Sequence, residues 1–173
     1  ASDFIGVEGI TAADMSAYIL PSDSDLAGVG IEAHFLGAYE PWDSRRNAAV
    51  AVKRGFTVEL PCDANLWDFE NLDCFMTAWH DVAMYRKYGY GRGCAQISVD
   101  IRAKLISREE ALEWVEKHDG LFPWVYAGVS HADGLNRIGV SHEAFMTVLG
   151  RFTNWSLFDG HDDMGRTILK EFV

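Results

Sequence analysis

Little in this chain fixes its chemistry at sight. Its three cysteines, Cys62, Cys74 and Cys94, are odd in number and separated by 11 and 19 residues. That spacing fits neither a disulfide framework nor the close ligand pairs of a structural zinc site, so they read as plain thiols. No apolar run reaches the roughly 18–20 residues needed to span a bilayer, and residues 1–20 carry acids where a secretory leader carries bases. A cytoplasmic chain with no membrane partner is expected. Bases are scarce as well: 15 Lys and Arg stand against 26 Asp and Glu, a formal net charge of −11. Such a balance repels the phosphate backbone that supplies most non-specific nucleic-acid affinity, which excludes nucleic acid as a partner.

Large apolar side chains are plentiful. Six Trp, six Tyr and ten Phe in 173 residues supply enough apolar surface for one core without disulfides and exclude a disordered tail. With no internal repeat, low-complexity tract or linker, residues 1–173 read as a single domain, mainly α, with a minor extended or β element.

Local signals place the helices. Thr11 with Asp14 resembles a capping box opening a short helix that must stop before Pro21, and a second short helix follows from Ser22. Residues 30–37 are apolar and bounded by glycine, as a strand or extended segment would be. Asp43 or Ser44 can cap an Ala- and Val-rich helix that stops at Gly55. Over 71–88, Leu72, Phe75, Met76, Trp79, Val82 and Ala83 recur at three- and four-residue spacing, giving the longest expected helix, ended by Gly89. Ile97, Ile101 and Leu105 mark the next, and Ser107 opens another that closes at Gly120 with acids in its first turn and Lys117 and His118 in its last. Ser141 opens a final one with Phe145, Val148, Leu149 and Phe152 as its stripe. Residues from 154 onward read as irregular, with a last helical turn over 168–172.

Three groupings could carry chemistry. In HDVAMYRKYGYGRG, residues 80–93, a helix ends in alternating glycines flanked by Lys87 and Arg92. Glycines let backbone amides approach an anion, and Lys or Arg fixes it by charge-assisted hydrogen bonds. Spacing alone favours a plainer account, in which Gly89 is a C-cap, Gly91 and Gly93 form a turn, and the bases suit the negative helix end. It is neither a Walker loop nor a dinucleotide fingerprint. Trp42 and Asp43 with Arg45 and Arg46 could line a polar pocket with an aromatic plate, or could be a capping acid beside solvated arginines. Asp100, Arg102, Arg108 and Glu109 read mostly as a solvated ion-pair network, with Asp100 and Lys104 paired one turn apart. His161, Asp162 and Asp163 read as a polar loop, so no metal is expected from this chain's own residues. No serine or cysteine stands in a nucleophile elbow.

Taken in order, FLGAYEPWDSRRNAAVAVKRGF at 35–56, the helix carrying His80, KYGYGR at 87–92, DIRAKLISREEAL at 100–112 and VEKHDG at 115–120 resemble the C-terminal part of N-acetyl sugar amidotransferases. These are ATP-dependent enzymes of the PP-loop class, acting in lipopolysaccharide and sialic-acid-like sugar biosynthesis. The resemblance covers about 28–150, and the ordered series is what makes it specific. It implies the C-terminal portion of a larger α/β PP-loop enzyme, in which ATP with Mg activates a sugar carbonyl oxygen and ammonia from a glutaminase subunit displaces the nucleotide to leave an amidine.

By similarity, Trp42 and Asp43 match the family's Tyr-x-x-Trp-Asp segment, and His80, Lys87, Gly91 and Arg92 match its His and Lys-Phe-Gly-x-Gly-Arg segment. Asp100, Ile101, Arg102, Arg108 and Glu109 match its Ile-Arg and Arg-Glu-Glu segments. The roles inferred are anion handling by Lys87, Arg92 and Arg102, and proton carriage by His80. The family's Ser-Gly-Gly-x-Asp-Ser pyrophosphate loop is not among these 173 residues. ATP chemistry would therefore need an ATP-binding half or subunit acting in trans on the sugar substrate. A non-catalytic helical binding or assembly module with the same packing motifs is the alternative.

Overall fold

The computed structural model describes residues 2–30 and 32–171. Seven α-helices and two small antiparallel hairpins make up the described chain, which is mainly α with minor β, as expected. None of its helices is long and apolar enough to cross a membrane. The chain divides into two compact units, Ala1–Ser44 and Arg45–Val173.

In the first unit no described residue is buried. Thr11 and Asp14 do exchange hydrogen bonds, with the Thr11 amide donating to Asp14 Oδ2 at 2.8 Å and the Asp14 amide donating to Thr11 Oγ1 at 3.3 Å. They close a turn followed by a short 3₁₀ helix, Ser16–Tyr18, a helical stretch that ends before Pro21 as expected; a cap alone cannot offset the nucleation of a longer α-helix where no apolar face is buried. Helix α1, Asp23–Val29, forms where expected, with Ser22 and Asp25 in a reciprocal capping box. Residues 32–35 join no strand and lead into a 3₁₀ turn, Leu36–Ala38; Ile31, within that expected stretch, lies outside the described residues.

The second unit holds the core. Helix α2, Ser44–Val52, runs from the unit boundary, and Gly55 beyond it takes φ 97°. Helix α3, Thr77–Tyr88, is the longest, yet it starts six residues later than the apolar spacing suggests. Asn71 sits in the left-handed region at φ 59°, and Leu72 and Phe75 lie in the irregular stretch before the helix. Helix α4, Arg92–Arg102, and α5, Arg108–His118, follow. Helix α5 is closed at its start by the Ser107–Glu110 capping box, with bonds of 3.0 and 3.2 Å. Leu105 falls beyond α4 and is exposed.

Three further elements depart from the sequence reading. Hairpin β1–β2, Val125–Tyr126 with Val129–Ser130, leads into an unexpected helix α6, His131–Ile138, which Ser130 caps and Gly139 ends. After α7, His142–Phe152, hairpin β3–β4, Phe158–His161 with Thr167–Leu169, replaces both the irregular tail and the helical turn expected over 168–172; Phe172 lies outside the described residues.

Val82 of α3, Phe122 and Leu149 of α7 form a buried apolar cluster, with Phe145 and Met146 packed on it. Val148 and Phe152, expected in the same stripe, are exposed. Helices α4 and α5 pack closely because Gly93 has no side chain: a Cβ there would lie 2.5 Å from the Trp114 ring and 2.7 Å from the Ala64 carbonyl oxygen.

Candidate functional site

The Gly89–Tyr90–Gly91 turn joins α3 to α4 and sets Arg92, at the start of α4, against Asp81 of α3. Arg92 Nε donates to Asp81 Oδ2 at 2.7 Å and Nη2 donates to Oδ1 at 2.8 Å. This two-pronged pairing matches the guanidinium fork to the carboxylate and holds Arg92 firmly protonated. Glu70 adds a second carboxylate 3.9 Å from Arg92 Nη1 and accepts from Gln96 Nε2 at 2.6 Å. On the outer side of Asp81, the exposed imidazole of His80 is hydrogen-bonded through Nδ1 to Oδ1 at 3.1 Å. The structure thus brings His80 and Arg92 to two sides of one carboxylate that the sequence reading passed over.

Asp119, one residue past α5, is fully buried and accepts from the Gly91 amide at 2.7 Å. Burial raises its carboxyl pKa, while the opening amides of α4 at Gly91, Cys94 and Gly93 pull the other way. A Cβ on Gly91 would meet Asp119 Oδ1 at 2.6 Å, so the residue must be glycine for this approach. The amide of Gly91 and the guanidinium of Arg92 therefore each have a carboxylate of the same chain as partner. An incoming phosphate would compete with both.

Lys87 is exposed, its Nζ 5.1 Å from the centre of the Tyr88 ring. Arg102, on the last residue of α4, and Arg108, on the first of α5, are both exposed. Trp42 and Asp43 belong to the first unit, are exposed, and Trp42 Nε1 donates to Ser44 Oγ at 3.0 Å. Asp100 is buried and takes its charge partner from Arg45, bonded through Nε at 2.9 Å and through Nη2, and not from Lys104 as the spacing suggested. Lys104 lies outside α4 with φ 60°. Among the described residues no three His, Cys, Asp or Glu side chains are grouped to hold a metal. Asp162 instead organises the β3–β4 turn, its Oδ1 accepting from the amides of Met164 and Arg166 at 2.9 Å each.

Beside the Asp81–Arg92 pair lies a narrow gap of about 10 Å³, lined also by Asn65, Asp119 and Tyr126. It has room for about one water-sized group. Cys62, Ala64, Leu121 and Pro123 line both this gap and an open cleft of about 410 Å³ walled by Phe122, Trp124 and Met164. Burial pushes the Cys62 thiol up to about 11 and the Tyr126 hydroxyl up to about 12, so neither is ionised at neutral pH. Cys62 is a thiol and not a thiolate nucleophile.

No curated protein matches the chain. Residues 67–170, more than half of it, match the family described as LPS biosynthesis protein WbpG-like, C-terminal domain. That span takes in the whole His80–Asp81–Arg92 array, the glycine turn and Asp119, and leaves Trp42, Asp43 and, of the gap's lining, Cys62, Ala64 and Asn65 outside it. With the motifs from His80 onward and the core helices α3 to α7 falling inside the match, the chain belongs to the WbpG-like C-terminal domain family of lipopolysaccharide biosynthesis proteins.

Proposed function

We propose that this domain is the substrate-side part of an ATP-dependent N-acetyl sugar amidotransferase. ATP and its Mg would be held by another portion or subunit, and ammonia delivered by a glutaminase partner. The observation supporting this reading is the His80–Asp81–Arg92 chain. An exposed imidazole is tied through Nδ1 to a carboxylate, which is itself clamped by a guanidinium. Such a carboxylate fixes the tautomer and orientation of the ring and leaves Nε2 for reaction.

ATP, bound by the rest of the enzyme, would transfer its adenylyl group to the carbonyl oxygen of the substrate with release of pyrophosphate, so that the substrate's carbonyl carbon carries a nucleotide leaving group. As the ammonia nitrogen bonds to that carbon and the carbon–oxygen bond to the nucleotide breaks, the nitrogen must shed a proton. We assign the acceptance of that proton to Nε2 of His80. Lys87, Arg102 and Arg108 would serve as exposed cations for phosphate or carboxylate groups of the substrate in the assembled enzyme.

The test uses the full-length protein with its ATP-binding portion, ammonium chloride in place of the glutaminase, and a nucleotide-linked N-acetyl sugar. Conversion is read by mass as oxygen replaced by NH. His80→Gln should lower kcat by roughly 10²–10⁴-fold with KM little changed. An unchanged kcat would overturn the catalytic assignment. A second reading, a non-catalytic binding or assembly module, is favoured by one feature: Gly91 and Arg92 are already committed to carboxylates of their own chain. Absence of any turnover in the wild-type assembly would support it.

A further inference from the structure

We propose that the hydrogen-bonded pair His131–His142 is a proton-sensitive latch: with both rings neutral it holds Trp124 on the wall of the open cleft, and protonation of either ring releases it. This goes beyond the amidotransferase reading and does not depend on it.

The tautomers follow from the donors. The Trp79 indole donates to His131 Nδ1 at 3.0 Å, so the His131 proton sits on Nε2 and is given to His142 Nδ1 at 3.1 Å. His142 therefore keeps its own proton on Nε2. A further proton has no place in this chain of bonds. On His131 it would go to Nδ1 and face the indole N–H, and on His142 it would go to Nδ1 and face the His131 N–H; either way donor meets donor. The surroundings disfavour a cation as well. His131 is 5% exposed, with the rings of Trp79, Phe122, Trp124 and Phe145 centred 5.0 to 5.9 Å away. Each histidine is also the first residue of its helix, α6 or α7, where the helix end is positive.

No counter-charge offsets this. Among the described residues neither imidazole is ion-paired with a carboxylate. Helix α3 presents the Trp79 indole to the pair, and residues 122–124 carry no charge. On α6, Asp133 Oδ2 accepts from the Ser130 hydroxyl at 2.7 Å, and on α7 Glu143 is exposed. The β3–β4 turn reaches Trp124 Nε1 through the Met164 carbonyl, and its Asp162 is bonded to the Met164 and Arg166 amides. Asp63 lines the cleft together with Trp124. The latch acts on Trp124 twice. The His131 amide donates to the Trp124 carbonyl at 2.8 Å, and the Trp124 ring stacks on that of His142, 25° from parallel with centres 6.0 Å apart. Trp124 in turn walls the cleft of about 410 Å³. Loss of the imidazole bond frees the start of α6 from the start of α7, and with it the wall that Trp124 forms.

Amide hydrogen exchange of the whole chain, read by NMR as protection relative to the intrinsic rate at each pH, tests this. Between pH 7.5 and 5.5, one imidazole freed to titrate near about 6.5 should lower the protection of amides at 125–131 about tenfold. The amides of α3 should stay better protected at both pH values, because the opening is local. In the double variant His131→Gln with His142→Gln, which keeps hydrogen-bonding side chains without a titrating ring, the pH dependence should vanish. Three results each overturn the proposal: unchanged protection in the wild type, amides at 125–131 as well protected as those of α3, or a pH dependence that survives the double substitution. If the double variant does not fold, the imidazole nitrogen shifts of the wild type decide. Loss of the Nε2–H tautomer of His131 must track the fall in protection, and titration of either ring without that fall overturns the latch.

Discussion

Arg92 clasps Asp81 with two parallel hydrogen bonds of 2.7 and 2.8 Å across the turn between α3 and α4. Both side chains are largely withdrawn from water, with 22% and 13% of their side-chain surface exposed. The pair therefore fixes the packing of the two helices as well as the orientation of His80.

Removing one partner leaves the other charge poorly solvated. Arg92→Ala should destabilise the domain by about 2 kcal/mol, below the fully buried case because some solvent reaches the pair. Urea unfolding of Arg92→Ala, Asp81→Asn and the double variant checks this. The double variant should lose clearly less than the sum of the singles, and strict additivity would show that the pair is not coupled.

Asp119 accepts a backbone bond at the start of α4 from outside that helix, as an N-cap does from within it. Asp119→Ala should cost about 1–2 kcal/mol, and Asp119→Asn should cost less, because its amide oxygen can still accept. Since burial raises the carboxyl pKa, its protonated form is favoured on folding and its ionisation works against stability. Thermal melts of the two variants at neutral pH should rank wild type and Asp119→Asn above Asp119→Ala.

Gly93→Ala drives a methyl into the Trp114 ring and the Ala64 carbonyl. Overpacking of this kind should cost about 1–3 kcal/mol. A chemical-denaturation midpoint equal to wild type would show that α4 and α5 can separate freely.

His131 is buried and accepts at Nδ1 from the Trp79 indole at 3.0 Å, so its proton sits on Nε2, facing His142 Nδ1 at 3.1 Å. Burial, and then the neighbouring His142, lower its pKa. Protonation is thus easier in the unfolded chain, whose histidine titrates near about 6.5. Between that value and the lower folded one, stability should fall as pH falls. Thermal melting from pH 7.5 to 5.5 should show a steeper loss in the wild type than in His131→Gln; identical slopes would remove His131 as the cause.

Much of this fold could be read in advance where the instruction is local. Ser22, Ser107 and Ser141 each open a helix because a hydroxyl satisfies an amide three residues ahead. Gly89 closes α3 because it alone relieves the strain of φ 80°. The start of α3 was misread because apolar spacing continues through residues 71–76 while Asn71 turns the backbone away. The final hairpin was missed for a similar reason: two short strands carry no period long enough to see and exist only because they pair with each other.

The sequence by itself determined the helical class, the caps and the family to which residues 67–170 belong, since each follows from composition, near-neighbour spacing or an ordered run of motifs. It also picked out His80 and Arg92. The tertiary structure decided what those residues hold: Asp81 for Arg92, Asp119 for the Gly91 amide, and Arg45 for Asp100 across 55 positions. A buried charge or amide takes whichever partner the packing brings within hydrogen-bond reach, and helix packing sets that distance independently of separation along the chain.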